Sequence, residues 1–271
     1  MIRPLRSAFA EQAATAHVVP VWTEIVADGD TPVSAFAKLG GEAPSFLLES
    51  AEQSDQVGRY SFIGFGPQAT FSATGKSVTV AGDQPSKTYG AERDPLDELE
   101  RWMERYRVPH NPDLPPFCGG AVGYLGYDCV RWFEPTIPEP PKDELGIPDM
   151  FFQITGSLVV FDHKRRRIQI VANAFIGDRG IDAAYDDACA RIAEVLKALR
   201  RPLAFDPIFT GTTPPQAEST SNTTREEYHA MVERAQEYIR AGDIFQIVPS
   251  QRFETAFPGD ALDLYLSLIH I

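Results

Sequence analysis

The sequence predicts an α+β fold in which antiparallel sheets are packed with helices. Three observations predict it. Residues 45–67 read as an apolar strand, a polar loop and a second strand closed by Gly66-Pro67. Residues 69–81 alternate about a turn at Gly75-Lys76, and residues 150–161 and 167–173 form a strand pair about a basic turn at 163–166. Around these strands, residues 95–106 and 181–199 carry apolar side chains at helical spacing. A chain of 271 residues can bury a large core, as one big domain or one and a half.

Taken in order, residues 17–27 are β-branched and partly alternating, a strand whose Pro20 points to an edge or a bulge. Asp30 or Thr31 can cap a helix that has Pro32 in its first turn and ends at Gly40-Gly41. Asp94-Pro95 opens the next helix, with Leu96, Leu99, Met103 and Tyr106 on one face and an Asp97–Arg101 pair on its surface. Residues 117–127 contain glycines at 119, 120, 123 and 126 but neither GxGxxG nor GxxxxGK, so a phosphate loop is excluded. They read as a strand on which another backbone approaches closely. A short helix at 127–134 and a Pro-rich loop through Pro148 follow. The cationic tip Lys164 to Arg167 reads as a solvated turn, and the 181–199 helix carries its aspartates early and its cations late, as the helix dipole favours. Residues 202–223, rich in Pro, Thr and Ser, are the best domain boundary. Beyond it Thr224 and Glu227 make a capping box. Tyr228, Met231, Val232, Ala235, Tyr238 and Ile239 line one helix face, Gly242 ends the helix, and residues 243–254 read as a strand.

Charge and cysteines bound the function. A formal charge of −13 argues against nucleic acid or anionic membrane as a partner. No apolar run approaches the roughly 20 residues that span a bilayer, and the amino terminus lacks the apolar core of a secretion signal. Cys118, Cys129 and Cys189 lie far apart with no CxxC or Cys/His cluster, which fits a reducing cytoplasm and neither disulfides nor zinc. The stretch with most chemistry in it is Phe46-Leu47-Leu48-Glu49-Ser50. There a buried strand ends on a carboxylate and a hydroxyl that can grip a small zwitterion. The alternative is that Glu49 and Ser50 only begin a turn.

Five ordered motifs extend the reading. They are PVWTEIVADGDTPVSAFAKL (20–39), LLES (47–50), GYDCVRWFE (126–134), VAN (171–173) and GDIFQ (242–246). Together they resemble the large subunit, component I, of anthranilate synthase, over roughly residues 17–265, and AGDIFQIVPSQRF with its lead-in SNTTREEY resembles the start of the chorismate-binding domain. Thr223 departs from the family, which usually has an aromatic before the Thr-Arg-Glu run. After Tyr265 the family continues through an arginine-containing run to Asn-Pro-Ser-Pro-Tyr, whereas this chain reads LSLIHI. A foreign tail at 266–271 is therefore expected, with only the amino-terminal part of the fold present.

The resemblance implies five segments. These are an extension at 1–16, a tryptophan-binding regulatory domain at 17–201, a linker at 202–223, the truncated start of the chorismate domain at 224–265, and the tail. It implies conversion of chorismate and ammonia to anthranilate and pyruvate, the first step towards L-tryptophan. Ammonia would come from glutamine through a separate amidotransferase subunit, and L-tryptophan would inhibit. Glu49, Ser50 and Leu48 are the implied tryptophan-binding residues. Mg²⁺ is expected for the whole enzyme, with its ligands outside this chain, and the catalytic histidine and acids lie there too. Gln246 occupies a strand position like the one at which isochorismate-forming relatives place a water-activating lysine. A neutral amide there would favour ammonia over water as the nucleophile; otherwise it bonds only neighbouring backbone. The rival readings are the large subunit of aminodeoxychorismate synthase and a stand-alone tryptophan-binding module.

Overall fold

The computed structural model describes residues 1–26, 29–39, 44–50, 58–82, 85–140, 142–178, 180–203 and 218–269. The chain divides into two compact units, Met1–Ala204 and Phe205–Ile271.

The first unit runs through α1 (Arg6–Ala13), β1 (Val18–Ile25), α2 (Pro32–Leu39), β2 (Phe46–Leu48), β3 (Tyr60–Phe65), β4 (Ala69–Thr74), β5 (Ser77–Gly82), β6 (Lys87–Gly90) and α3 (Pro95–Met103). It continues through β7 (Ala121–Leu125), β8 (Met150–Ile154), β9 (Ser157–Asp162), β10 (Arg167–Phe175) and α4 (Ile181–Leu199). The strands form two five-stranded sheets, ordered β1-β10-β9-β3-β2 and β6-β5-β4-β8-β7. Each pairing is antiparallel, as expected for an α+β chain built from hairpins.

Strand alternation sorts side chains onto the two faces of the first sheet. One face presents Val19, Val21, Ile63, Val159, Phe161, Ile168 and Ile170 to Phe9 of α1, Ala35 of α2, and Ala188, Ile192 and Val195 of α4. The other gathers Trp22, Leu158, Val160 and Val171 under Leu114 and Phe117. The second sheet packs Phe71, Val78, Met150 and Ile154 against Leu99 and Trp102 of α3. Each such side chain contributes about 1.5–3 kcal/mol when fully buried.

Local chemistry explains the element ends. Pro20 lies on β1, at a sheet edge where its missing N–H costs no ladder bond. Thr31 caps α2 by accepting the Ser34 N–H at 3.1 Å, while the Gly40-Gly41 end lies outside the described residues. Asp94 caps α3 by accepting from Leu96 and Asp97. The surface pair on α3 is not the expected one. Arg101 bonds Glu98 at 2.7 Å and Asp97 pairs with Arg93 at 3.0 Å, because Arg101 Nε turns to the Asp97 carbonyl instead. The helix also stops at Met103, and Tyr106 belongs to a 3₁₀ turn.

Two larger corrections concern organisation. Residues 1–16 are no mere extension. Phe9 is fully buried, its ring 4.9 Å from Tyr185, and Arg3 exchanges both backbone hydrogen bonds with Trp22 along the outer edge of β1. Residues 150–161 are not one strand either, for the run changes sheets at Thr155-Gly156. Thr155 sends both its N–H and its hydroxyl to the Gly120 carbonyl, leaving the ladder. A Cβ at Gly156 would stand 1.9 Å from the Gly66 carbonyl oxygen, so glycine is required there. Asn173, of the VAN motif, is 1% exposed and donates its amide to the Cys118 and Thr155 carbonyls. Arg191 of α4 reaches across to the Gly156 and Asn173 carbonyls at 2.8 and 2.6 Å. Side chains from distant parts of the chain thus hold the crossing between sheets.

The second unit contains β11 (Ser219–Ser221), α5 (Arg225–Ala241), β12 (Phe253–Thr255) and α6 (Ala261–Ile269), with β11 and β12 paired. The capping box forms, Thr224 taking the Glu227 N–H and Glu227 taking the Thr224 N–H, and Gly242 ends α5 at φ 81°. β11 lies inside the segment read as linker, and residues 204–217 lie outside the described residues. The strand expected over 243–254 shrinks to Phe253–Thr255, because a strand needs a partner and β11 offers three residues. α6 runs through the 266–269 segment read as foreign.

Candidate amino-acid site at the end of the first sheet

Strand β2 sits at one edge of the first sheet, with Phe46, Leu47 and Leu48 opposite Gly64, Ile63 and Phe62. Phe46 fixes this register, since its ring fills the place a Cβ at residue 64 would need, 2.1 Å away. Leu47 packs into the helix-covered core. Leu48 does not. Alternation turns it to the other face, where it is 45% exposed. The chain leaves the sheet at Glu49, which is half-buried, and Ser50, which is exposed. The structure therefore places an accessible apolar side chain, a carboxylate and a hydroxyl in succession at a strand end. The polar loop that follows, residues 51–57, lies outside the described residues.

The neighbouring strands close this end of the sheet with groups the sequence did not single out. Arg59, just ahead of β3, binds Asp162 through Nε at 3.1 Å and Nη2 at 2.7 Å, and its guanidinium lies 4.7 Å from the Tyr60 ring centre. The Arg165 N–H donates to the same carboxylate at 3.0 Å. Ser61, 3% exposed, shares a 2.8 Å hydrogen bond with His163 Nε2. The signal for these residues was the polar side chains interleaved with aromatics in GRYSF, together with Asp162 at the mouth of a basic turn. The turn itself, 163–166, is exposed as expected.

Burial pushes the Asp162 carboxyl up, while the Arg59 hydrogen bond, the Arg165 N–H and both guanidinium charges outweigh it and hold it below the ordinary range. A carboxyl depressed by folding contributes stability that is present above its unfolded pKa of about 3.9. That contribution is lost as pH falls through the folded value. Asp162→Asn should therefore cost the first unit about 1–3 kcal/mol at neutral pH and less at pH 3. Urea unfolding at both pH values checks it, and an equal gap at both would show that the charge is not what stabilises this end.

Gln246 belongs to the second unit, is exposed and lies outside any strand. Leu48, Glu49 and Ser50 belong to the first unit. The three cysteines are free thiols, and burial is the chief cause raising the pKa of each. Among the described residues no group of three or more His, Cys, Asp or Glu could hold a metal ion, and no helix is long and apolar enough to cross a membrane.

Residues 43–271 match the family described as chorismate binding enzyme, and the chain belongs to that family. Within it, the chain is similar over nearly its whole length to proteins named anthranilate synthase component 1. Anthranilate synthase component 1 of Pseudomonas putida is 36% identical over 269 residues, 97% of this chain and 54% of that protein. The Mycobacterium tuberculosis protein of the same name is 39% identical over 269 residues, 96% of this chain and 51% of its own length. The crystal structure of anthranilate synthase component I from Streptococcus pneumoniae superposes with a TM-score of 0.64 at 30% identity, covering 90% of this chain and 51% of the other. The α+β fold expected from the sequence is thus that of component I, and the chain spans about half the length of these relatives.

Proposed function

We propose that this chain is the tryptophan-sensing part, with the opening of the chorismate-binding part, of an anthranilate synthase large subunit. The complete enzyme would work in the cytoplasm, converting chorismate to anthranilate and pyruvate with ammonia drawn from glutamine by an amidotransferase subunit. The observation that carries the reading is the end of β2. There Leu48, Glu49 and Ser50 stand accessible at a sheet edge, in a chain similar to component I over nearly its whole length. Glu49 would meet the ammonium of L-tryptophan, Ser50 would hydrogen-bond its polar end, and Leu48 would offer apolar surface to the ring. Charge-assisted bonds of this kind contribute roughly 1.5–3 kcal/mol each, enough for a selective site.

Mg²⁺ belongs to the proposal only for the whole enzyme. The described residues do not fit it, since none of them cluster as ligands. Gln246 is proposed to favour ammonia over water as the nucleophile.

A hybrid continuing this chain with the remaining half of the P. putida relative tests the reading. It should form anthranilate from chorismate, Mg²⁺ and ammonium salt. Glu49→Gln should keep the rate but weaken tryptophan inhibition at least about tenfold. A folded hybrid that makes no anthranilate, or keeps full inhibition in the variant, overturns it. The stand-alone tryptophan-binding module has one observation in its favour: the first unit has cores of its own. Both readings expect the 271-residue chain to bind L-tryptophan in a calorimetric titration, so the hybrid decides between them: a folded hybrid that binds L-tryptophan and makes no anthranilate favours the module.

A further inference from the structure

The first unit holds a cavity that Leu48, Glu49 and Ser50 do not line. It measures about 600 Å³ and lies between α3 and the chain that runs on to β7. Leu96, Leu99 and Met103 of α3 form one wall, with Tyr106 just beyond the helix. Val108, Pro115, Cys118 and Gly119 form the other. Charged groups stand at its mouth, where Glu100, Glu104, Arg107 and His110 are all exposed. Their signs nearly balance, and Arg107 lies 4.0 Å from Glu104, so the mouth favours neither anions nor cations. A volume of this size with mostly apolar walls fits a small organic molecule.

One buried group beside this cavity is left unsatisfied. Asn173 is 1% exposed and gives its two amide hydrogens to the Cys118 and Thr155 carbonyls. Its Oδ1 has no hydrogen-bond partner among the described residues. A buried acceptor in that state is costly, and only a donor can satisfy it. Gly119, a cavity wall, stands next to this oxygen. A Cβ at residue 119 would lie 3.3 Å from Asn173 Oδ1 and 2.6 Å from Val108 Cγ2. The space that the glycine leaves open is thus close to hydrogen-bond distance from Oδ1, and the Val108 methyl covers it.

We propose that this cavity binds an uncharged aromatic molecule carrying an N–H or O–H donor. The donor reaches Asn173 Oδ1 through the notch at Gly119, and the Val108 methyl turns aside to admit it. The ring lies among groups that suit one, since Tyr106 offers an aromatic neighbour and Met103 a polarizable sulfur. A ligand bonded in this way touches the crossing between the two sheets, because Asn173 also takes the Arg191 guanidinium on its carbonyl at 2.6 Å. The site rests on the first unit alone and does not depend on the tryptophan-sensing reading.

The 271-residue chain is titrated by calorimetry with indole and with benzofuran, which has the same shape and an oxygen in place of the N–H. Indole should bind in a saturable, one-to-one manner and at least about fivefold more tightly than benzofuran. Bound indole should slow alkylation of Cys118 by N-ethylmaleimide at least about threefold, read by mass spectrometry. Cys189, a free thiol outside the cavity, should react as before. Val108→Ala uncovers the notch and should tighten indole binding at least about threefold, a gain that misfolding cannot imitate. An excess of L-tryptophan should leave indole binding unchanged, which separates this cavity from the strand-end site. Equal affinity for the two probes overturns the proposal, since the donor then plays no part. Absence of saturable indole binding to the folded chain overturns it too. The same holds if Cys118 stays unprotected, if Val108→Ala binds no tighter, or if L-tryptophan displaces indole.

Discussion

Gly123→Ala is expected to dismantle the second sheet's edge and cost at least about 3 kcal/mol, among the largest effects of any single methyl group in this chain. β7 lies so close to β8 that a Cβ at position 123 would stand 1.8 Å from the Phe151 carbonyl oxygen and 2.7 Å from the Phe152 Cα. Both obstructing atoms are backbone, within the pairing of Gly123 with Phe152, so no rotamer change relieves the clash. The strand must move away, breaking its ladder and the Gly126 N–H bond to the Asp149 carbonyl that follows. Gly90→Ala is the control, for nothing lies within 4 Å of its added carbon. It should shift stability by no more than about 0.5 kcal/mol. Urea midpoints followed by tryptophan fluorescence compare the two, with Trp102 reporting from the core of that sheet. Equal midpoints would mean that β7 is not held against β8 as described.

The second large effect concerns regulation. In the hybrid enzyme, Ser50→Phe should abolish most tryptophan inhibition while the uninhibited rate hardly moves. Ser50→Ala should weaken inhibition roughly five- to 150-fold, since one lost hydrogen bond to a buried ligand group costs about 1–3 kcal/mol. Ser50 is exposed at a strand end, so the ring of the phenylalanine variant stands outside the protein core, where L-tryptophan is proposed to bind. On the proposed reading the substrate-converting groups lie outside the first unit, and so the rate without inhibitor is the internal control. Unchanged inhibition in both variants, or a collapsed uninhibited rate in a folded protein, would displace the regulatory site from this strand end.

How much of this was legible depended on whether the cause was local. Thr224, Glu227 and Gly242 announced the ends of α5 because caps are made by residues within one turn of the backbone they satisfy. Gly123 was legible as a close approach, since its neighbours alternate and it brings no side chain. The change of sheet at Thr155-Gly156 was not. MFFQITGSLVVF has strand composition on both sides of the break, and what makes the break is Gly120, Gly66 and Arg191, all remote in sequence. The candidate site divides the same way. Leu48, Glu49 and Ser50 were visible as an abrupt end to an apolar run. The Arg59–Asp162 and Ser61–His163 pairs come together only through the β3–β9 register. The strand over 243–254 was misread because composition reports a preference for extended backbone and says nothing of whether a partner is at hand.

The pairing of β1 with β10 sets a schedule for the nascent chain. Val18 meets Phe175 and Ile25 meets Ile168, so the most buried strand near the amino terminus waits for partners that emerge roughly 150 residues later. At about 5–20 residues per second, that wait is on the order of ten to thirty seconds at the ribosome. Throughout it VVPVW is an unsheltered apolar segment, while the β4–β5 hairpin can close as soon as its own residues appear. Slowing synthesis between codons 26 and 167 should therefore lower soluble yield, and slowing it after codon 176 should not.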